Sequence, residues 1–152
     1  VTEGGGAGGS VQTVVRGGSY GTEQAGVTVP QAGAGDPKFT LGYPIMARPD
    51  DGKTYTITRF AVRLGSFDGP NITISDDFTI GLRRVSYGSG TSTVSTIGYT
   101  ASDGSRGQAA KTTAPNATIA VGEDVYVYGI GVFGGTTLSA GPISWEVTYT
   151  IT

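Results

Sequence analysis

The segment that most restricts this chain is its last one. From Ser144 to Thr152 apolar and polar residues alternate without a break: Trp145, Val147, Tyr149 and Ile151 against Ser144, Glu146, Thr148, Thr150 and Thr152. Period two marks a β-strand with one buried face, because successive side chains point to opposite sides of a sheet. The expectation is that Trp145, Val147, Tyr149 and Ile151 are mostly buried, with Glu146, Thr148 and Thr150 more exposed. The same period recurs in Phe60, Val62 and Leu64 against Arg59 and Arg63, in Ile72 and Ile74, and in Phe78, Ile80 and Leu82. No stretch shows a helical period with caps. The residues between are those of turns: Pro49-Asp50-Asp51-Gly52, Tyr87-Gly88-Ser89-Gly90 and Val121-Gly122-Glu123-Asp124.

Read along its length, the chain predicts strands at Val11 to Arg16, Lys38 to Met46, Lys53 to Leu64, Ile72 to Ser75 and Phe78 to Arg83 on either side of a turn or offset at Asp76-Asp77, Thr91 to Tyr99, Lys111 to Val121, Val125 to Phe133 and Ser144 to Thr152. Pro44 confines the second of these to an edge or a bend. Lys53 to Leu64 is consistently inward at Phe60, Val62 and Leu64, and its early half runs the opposite way if a bulge intervenes. Val94 and Ile97 are out of phase, which again implies a bulge. Gly17 to Gly35 reads as loop-rich around Val27-Thr28-Val29-Pro30, and Ala101 to Ala110 as a polar loop. Pro115-Asn116 marks a bend. Val125 to Phe133 is apolar on both faces, with Val125 and Val127 on one side and Tyr126, Tyr128, Ile130 and Val132 on the other, so both faces need cover. The result is an all-β chain: a jelly-roll or β-sandwich of about eight antiparallel strands. Residues 1–35 are expected to form a Gly-rich N-terminal arm with a short strand, and residues 36–152 the sandwich domain.

Composition narrows the chemistry. A length of 152 residues suits one domain with a real core. A net charge of −2 leaves no basic face for phosphates, so nucleic acid is not an expected partner. No apolar run approaches the ~20 residues of a membrane-spanning helix. Cys and His are absent, which removes disulfides, thiolate metal sites and the commonest general base.

The remaining constellations have plain structural readings. The acid pairs Asp50-Asp51, Asp76-Asp77 and Glu123-Asp124 sit in turns, where an Asp bonds its own backbone. A glycosidase needs two carboxylates set across a cleft instead. Asp68-Gly69-Pro70-Asn71 and Asp76-Asp77 are the best calcium candidates but lack the alternating acids of a helix–loop–helix calcium site. Gly17-Gly18-Ser19-Tyr20-Gly21 spells a nucleophile elbow with no helix after it. Gly4-Gly5-Gly6-Ala7-Gly8-Gly9 spells a dinucleotide loop with no strand before it. No catalytic residue, cofactor or metal is expected. Tyr87, Tyr99, Tyr126, Tyr128, Tyr149 and Trp145 could line a sugar-binding face, although the alternation places Trp145 and Tyr149 in the core. Tyr126, Tyr128 and Ile130 are the candidate subunit interface.

Two runs carry a resemblance. Tyr55-Thr56-Ile57-Thr58-Arg59-Phe60-Ala61-Val62-Arg63-Leu64-Gly65 and Thr118-Ile119-Ala120-Val121-Gly122-Glu123-Asp124-Val125-Tyr126-Val127-Tyr128 resemble strands of small jelly-roll proteins of tailed-bacteriophage virions, the head-decoration (cement) proteins and fibre-tip domains. The resemblance covers about residues 38 to 152, in style rather than in a diagnostic motif. It implies a non-enzymatic virion surface protein, made in the host cytoplasm and displayed on the particle. Its implied partners are copies of itself, with a trimer preferred, and the major capsid protein or another virion protein. Gly4, Gly5, Gly6, Gly8 and Gly9 would then belong to a capsid-contacting arm. The alternative is a fibre-type module that binds a receptor or a glycan.

Overall fold

The computed structural model describes residues 10–22, 25–31, 39–65, 72–106, 110–132 and 135–152. Eleven strands lie among them: β1 (Gln12–Tyr20), β2 (Val27–Val29), β3 (Phe39–Ile45), β4 (Tyr55–Leu64), β5 (Phe78–Ser86), β6 (Gly90–Tyr99), β7 (Ala110–Thr113), β8 (Ala117–Ile119), β9 (Asp124–Gly131), β10 (Thr136–Leu138) and β11 (Ile143–Ile151). All of their pairings are antiparallel.

Strand order defines the architecture. The first sheet runs β1-β11-β4-β7, with β8 also on β4, and the second runs β3-β9-β5-β6. β7 and β8 are two halves of one edge strand, interrupted at Ala114-Pro115-Asn116, where Asn116 takes a positive φ of 50°. Counted that way, eight principal strands form two four-stranded sheets. The chain crosses between the sheets at nearly every connection, β5–β6 being a hairpin. This is the jelly roll, two Greek keys laid face to face. A small ribbon, β2–β10, is added to it.

The alternating residues build the core between the sheets. Ile57, Phe60, Leu64, Ile80, Leu82, Val125, Val127, Ile143 and Val147 have no solvent exposure at all. Each such side chain contributes about 1.5–3 kcal/mol of transfer free energy. Trp145 and Tyr149 are buried, Ile151 is half-buried and Glu146 is exposed, as the alternation requires. Trp145 fills the gap between the sheets against Gly18 and Gly42, and its Nε1–H donates to the Leu41 carbonyl at 3.3 Å.

Both expected bulges exist. In β4, Tyr55 and Ile57 are buried, and so are Phe60, Val62 and Leu64; the phase changes at Thr58, where the pairing with β11 slips by one residue. In β6, Val94 is the extra residue opposite Leu82 and Arg83. An inserted residue lets one strand present apolar side chains to the core on both sides of the break.

Three local expectations are corrected. β1 runs four residues beyond Arg16, because Gly17 to Tyr20 continue the pairing with β11. Thr136–Leu138, absent from the sequence reading, is a strand held by β2, with Leu138 and Thr136 buried. Within the expected loop from Ala101 to Ala110, Ala101–Arg106 form a short 3₁₀ helix. Its start is held by Asp103, which accepts the Thr100 N–H at 2.8 Å. Both β1 and β2, from the segment 1–35, hydrogen-bond to strands of the segment 36–152.

Candidate functional site

The strand expected to offer an interface is β9. Its pairing with β3 and β5 puts Val125 and Val127 in the core, so Tyr126 and Tyr128 face the outside of the second sheet. Even so, they are only 7% and 3% exposed. Gly81 on β5 lies opposite Tyr128, and a Cβ there would fall 2.6 Å from the phenol ring. The absent side chain lets the ring lie flat on the sheet. Arg83 then covers it, its guanidinium 5.2 Å from the ring centre. Tyr126 packs against Tyr128 at 6.3 Å and Tyr43 at 5.9 Å between ring centres. One chain therefore covers both tyrosines by itself, and Ile130 is half-buried.

The exposed aromatic surface lies beside them. Tyr43 and Tyr87 are 49% and 79% exposed, with Met46 and Val121 open at the same end of the sandwich. Asp124 organises this end. It is buried, and its carboxylate accepts the Ala47 N–H at 2.5 Å and the Tyr87 hydroxyl at 3.0 Å. Ala47 has a positive φ of 43°. Backbone bonds from Arg48 N–H to Glu123 and from Gly122 N–H to Arg48 complete the junction of three loops. The carboxylate raises the Tyr87 pKa above the usual phenol value, since it stabilises the protonated hydroxyl. The outcome is a tyrosine tied down at its polar tip and open along its ring.

Nearby, Arg48 is buried over the Tyr55 ring at 4.8 Å and donates to the Lys53 carbonyl. Asp51 accepts the Tyr55 hydroxyl at 2.8 Å, the leading reason its carboxyl is held below the ordinary value. The other acids have similar roles. Asp76 accepts the Asp77 N–H, and Glu123 accepts the Ala120 N–H. Among the described residues, no three acids approach closely enough to hold a metal ion. An open groove of about 340 Å³ crosses the outside of the first sheet, lined by Arg59, Arg63, Thr112, Ser144 and Glu146. Arg59 and Glu146 pair across it at 2.8 Å, both about half-exposed.

Of the six aromatics singled out from the sequence, Tyr99, Tyr149 and Trp145 are in the core, Tyr126 and Tyr128 are covered, and Tyr87 is open. Tyr43 and Asp124 were not foreseen. Tyr43 sits on β3 within the register break between Gly42 and Ile45, so no period announces its face. Asp124 looks like any turn acid in the sequence. Ser19 of the elbow-like string is an edge-strand residue paired with Ser144. Gly4, Gly5, Gly6, Gly8 and Gly9, and Asp68 to Asn71, lie outside the described residues.

No protein-family model and no curated protein matches the chain. Among solved structures, it is similar to the Eiger TNF from S. frugiperda at 11% identity and a TM-score of 0.44, covering 87% of this chain and 91% of that one. It is also similar to a chain of the T13 IBDV viral particle, at 10% identity and a TM-score of 0.40, covering 91% of this chain and 37% of that one. A chain of the infectious bursal disease virus Gx strain follows at 11% identity and 0.37, covering 93% and 39%. The chain thus spans little more than a third of those viral chains. The jelly-roll assignment stands on the strand order itself.

Proposed function

We propose that this chain is a non-enzymatic structural protein of a virion surface, of the capsid decoration type, that assembles with copies of itself and on a capsid lattice. The observation that carries the reading is the apolar surface a single chain leaves open: Val11, Val15, Tyr20, Tyr43, Met46, Tyr87 and Val121 are all exposed. Large open apolar groups on a compact sandwich fit a protein that is covered by neighbours. The engagement of the acids in turns and loop junctions fits the same reading, since it leaves them structural work. A trimer remains the preferred state within this proposal. Ile130 has surface to give to a neighbour, with Tyr126 and Tyr128 preceding it on the same face of β9, and Gly4, Gly5, Gly6, Gly8 and Gly9 would form the capsid-contacting arm. Antibody labelling of particles from the source tests the reading. A regular array on the particle surface is expected, and label confined to the soluble fraction would overturn it.

The fibre-type alternative draws on one specific feature, the anchored ring of Tyr87 beside Tyr43. Rigid, exposed tyrosines stack on sugar rings at small entropic cost. Glycan-array binding lost in Tyr87→Ala and Tyr43→Ala would favour this alternative.

A further inference from the structure

Each open sheet has two edges, and an uncovered edge is a row of backbone donors and acceptors waiting for another strand. In this fold the four edges are treated differently. β3 carries Pro44 and two register breaks, and Trp145 donates to its Leu41 carbonyl. β6 is bulged at Val94, and Lys111 Nζ donates to its Gly98 carbonyl at 2.8 Å. The β7–β8 edge is broken at Pro115, and Arg84 donates to the Thr118 carbonyl at 2.8 Å.

β1 has none of these protections. Its nine residues pair with β11 in one unbroken register, without proline or bulge, and Arg16 is its single charge. Among the described residues, nothing bonds to its outer edge. Eight of the nine residues are exposed. Gln12 and Arg16 are opposite Ile151 and Val147, on the core side of the sheet, and yet they are exposed. Val14, between them on the same face, is half-buried against the core, so the cover over this half of β1 is partial. A partly covered core-side face next to a free edge leaves room for a second chain.

We infer that the free edge of β1 pairs antiparallel with β1 of a second copy, joining two first sheets into one across a two-fold axis. This rests on the assembly reading above and names one of its contacts. The occupant follows from geometry. Besides water, the partner that meets a whole row of backbone donors and acceptors is an extended strand, and every copy carries an identical free edge. A two-fold uses up both at once and leaves none to propagate. An axis perpendicular to the sheet keeps inner and outer faces in register. It therefore permits centres on Val14 or Val15, which set valine on valine. A centre on Arg16 would set guanidinium on guanidinium and is rejected. A threefold contact elsewhere on the surface is compatible, because the edge would then link one trimer to the next.

The test exploits a chain without cysteine. Directly opposed residues on antiparallel strands have Cα atoms roughly 4.5–5.5 Å apart, within disulfide range. Val14→Cys or Val15→Cys should therefore give a covalent dimer under mild oxidation, whichever lies on the axis. Val121→Cys, exposed just past β8 on the opposite edge of the same sheet, should not. Light scattering of the unmodified chain should show an even number of copies. Val15 is half-exposed, so Val15→Lys should keep the fold by circular dichroism while weakening self-association by roughly tenfold or more. A monomer at every concentration would overturn both this inference and the assembly reading. An oligomer unaffected by Val15→Lys, with no cross-link at 14 or 15, overturns the edge pairing alone. So does a chain that shows no self-pairing but captures a foreign peptide along β1.

Discussion

Tyr87 and Asp124 share a 3.0 Å hydrogen bond in which the donor residue is 79% exposed and the acceptor residue only 7%. Surface tyrosines usually put the hydroxyl in water and lay the ring down. Here the polar tip is turned inward, because Asp124 is held at the start of β9 where it also receives Ala47 N–H. Asp124→Ala should remove both bonds and destabilise the fold by about 2–3 kcal/mol, the scale for hydrogen bonds to a charged group. Tyr87→Phe should cost less, since it leaves the Ala47 bond in place. Urea unfolding of the two variants checks the order, and equal midpoints would contradict it.

The Trp145 slot should not tolerate small insertions. A Cβ at Gly42 would lie 2.4 Å from Trp145 Cζ2, and one at Gly18 2.7 Å away. Gly42→Ala should cost about 1–3 kcal/mol through overpacking. Gly98, also in a strand, has nothing within 4 Å of the new carbon. Gly98→Ala should be neutral or stabilise by about 0.5 kcal/mol through the unfolded chain. Trp145 is the sole tryptophan, so its fluorescence reports both transitions without labelling.

Acid should weaken the start of the 3₁₀ helix. The Asp103 carboxyl is held below its ordinary value, first by the Thr100 N–H and then by the Lys111 ammonium, which is 3.0 Å away. A carboxyl with a lowered pKa in the folded state binds its proton less readily there than in the unfolded chain. Its contribution to stability is therefore full above the ordinary Asp value of about 3.9 and is lost as pH falls through the folded value. Melting temperatures measured from pH 7 to pH 2 should show Asp103→Asn less stable than the parent at neutral pH, with the gap closing in acid. A gap that widens in acid would mean the carboxylate is not the favoured form.

Removing residues 1–10 should separate folding from binding. β1 begins at Gln12, so the shortened chain retains all nine pairs with β11. Its circular dichroism and melting temperature should match the full chain, while its binding to source particles should weaken. Equal binding would make the Gly-rich segment a passive tail and remove it from the proposed capsid contact.

The alternation of β11, the change of phase within β4 and β6, the bend at Pro115-Asn116 and the two-faced apolar character of β9 were all legible in the sequence, though not the residues at which the two bulges fall. Each is a local property, set by which residues stand next to one another and which face a period of two assigns them. Contacts made far along the chain decided the rest. That Tyr126 and Tyr128 need cover is written in their own strand, but that Gly81 and Arg83, on another strand, provide it for Tyr128 is not. Thr136–Leu138 is too short to announce itself and is a strand only because β2 pairs with it. The edges follow the same rule. The Leu41 carbonyl of β3 is met by Trp145, 104 residues further on, while the outer edge of β1, an ordinary strand by sequence, has no bonding partner among the described residues. A strand's period is written in its own side chains, but its edge is made of backbone, which is alike in every sequence. Only the packed chain determines which edge remains free.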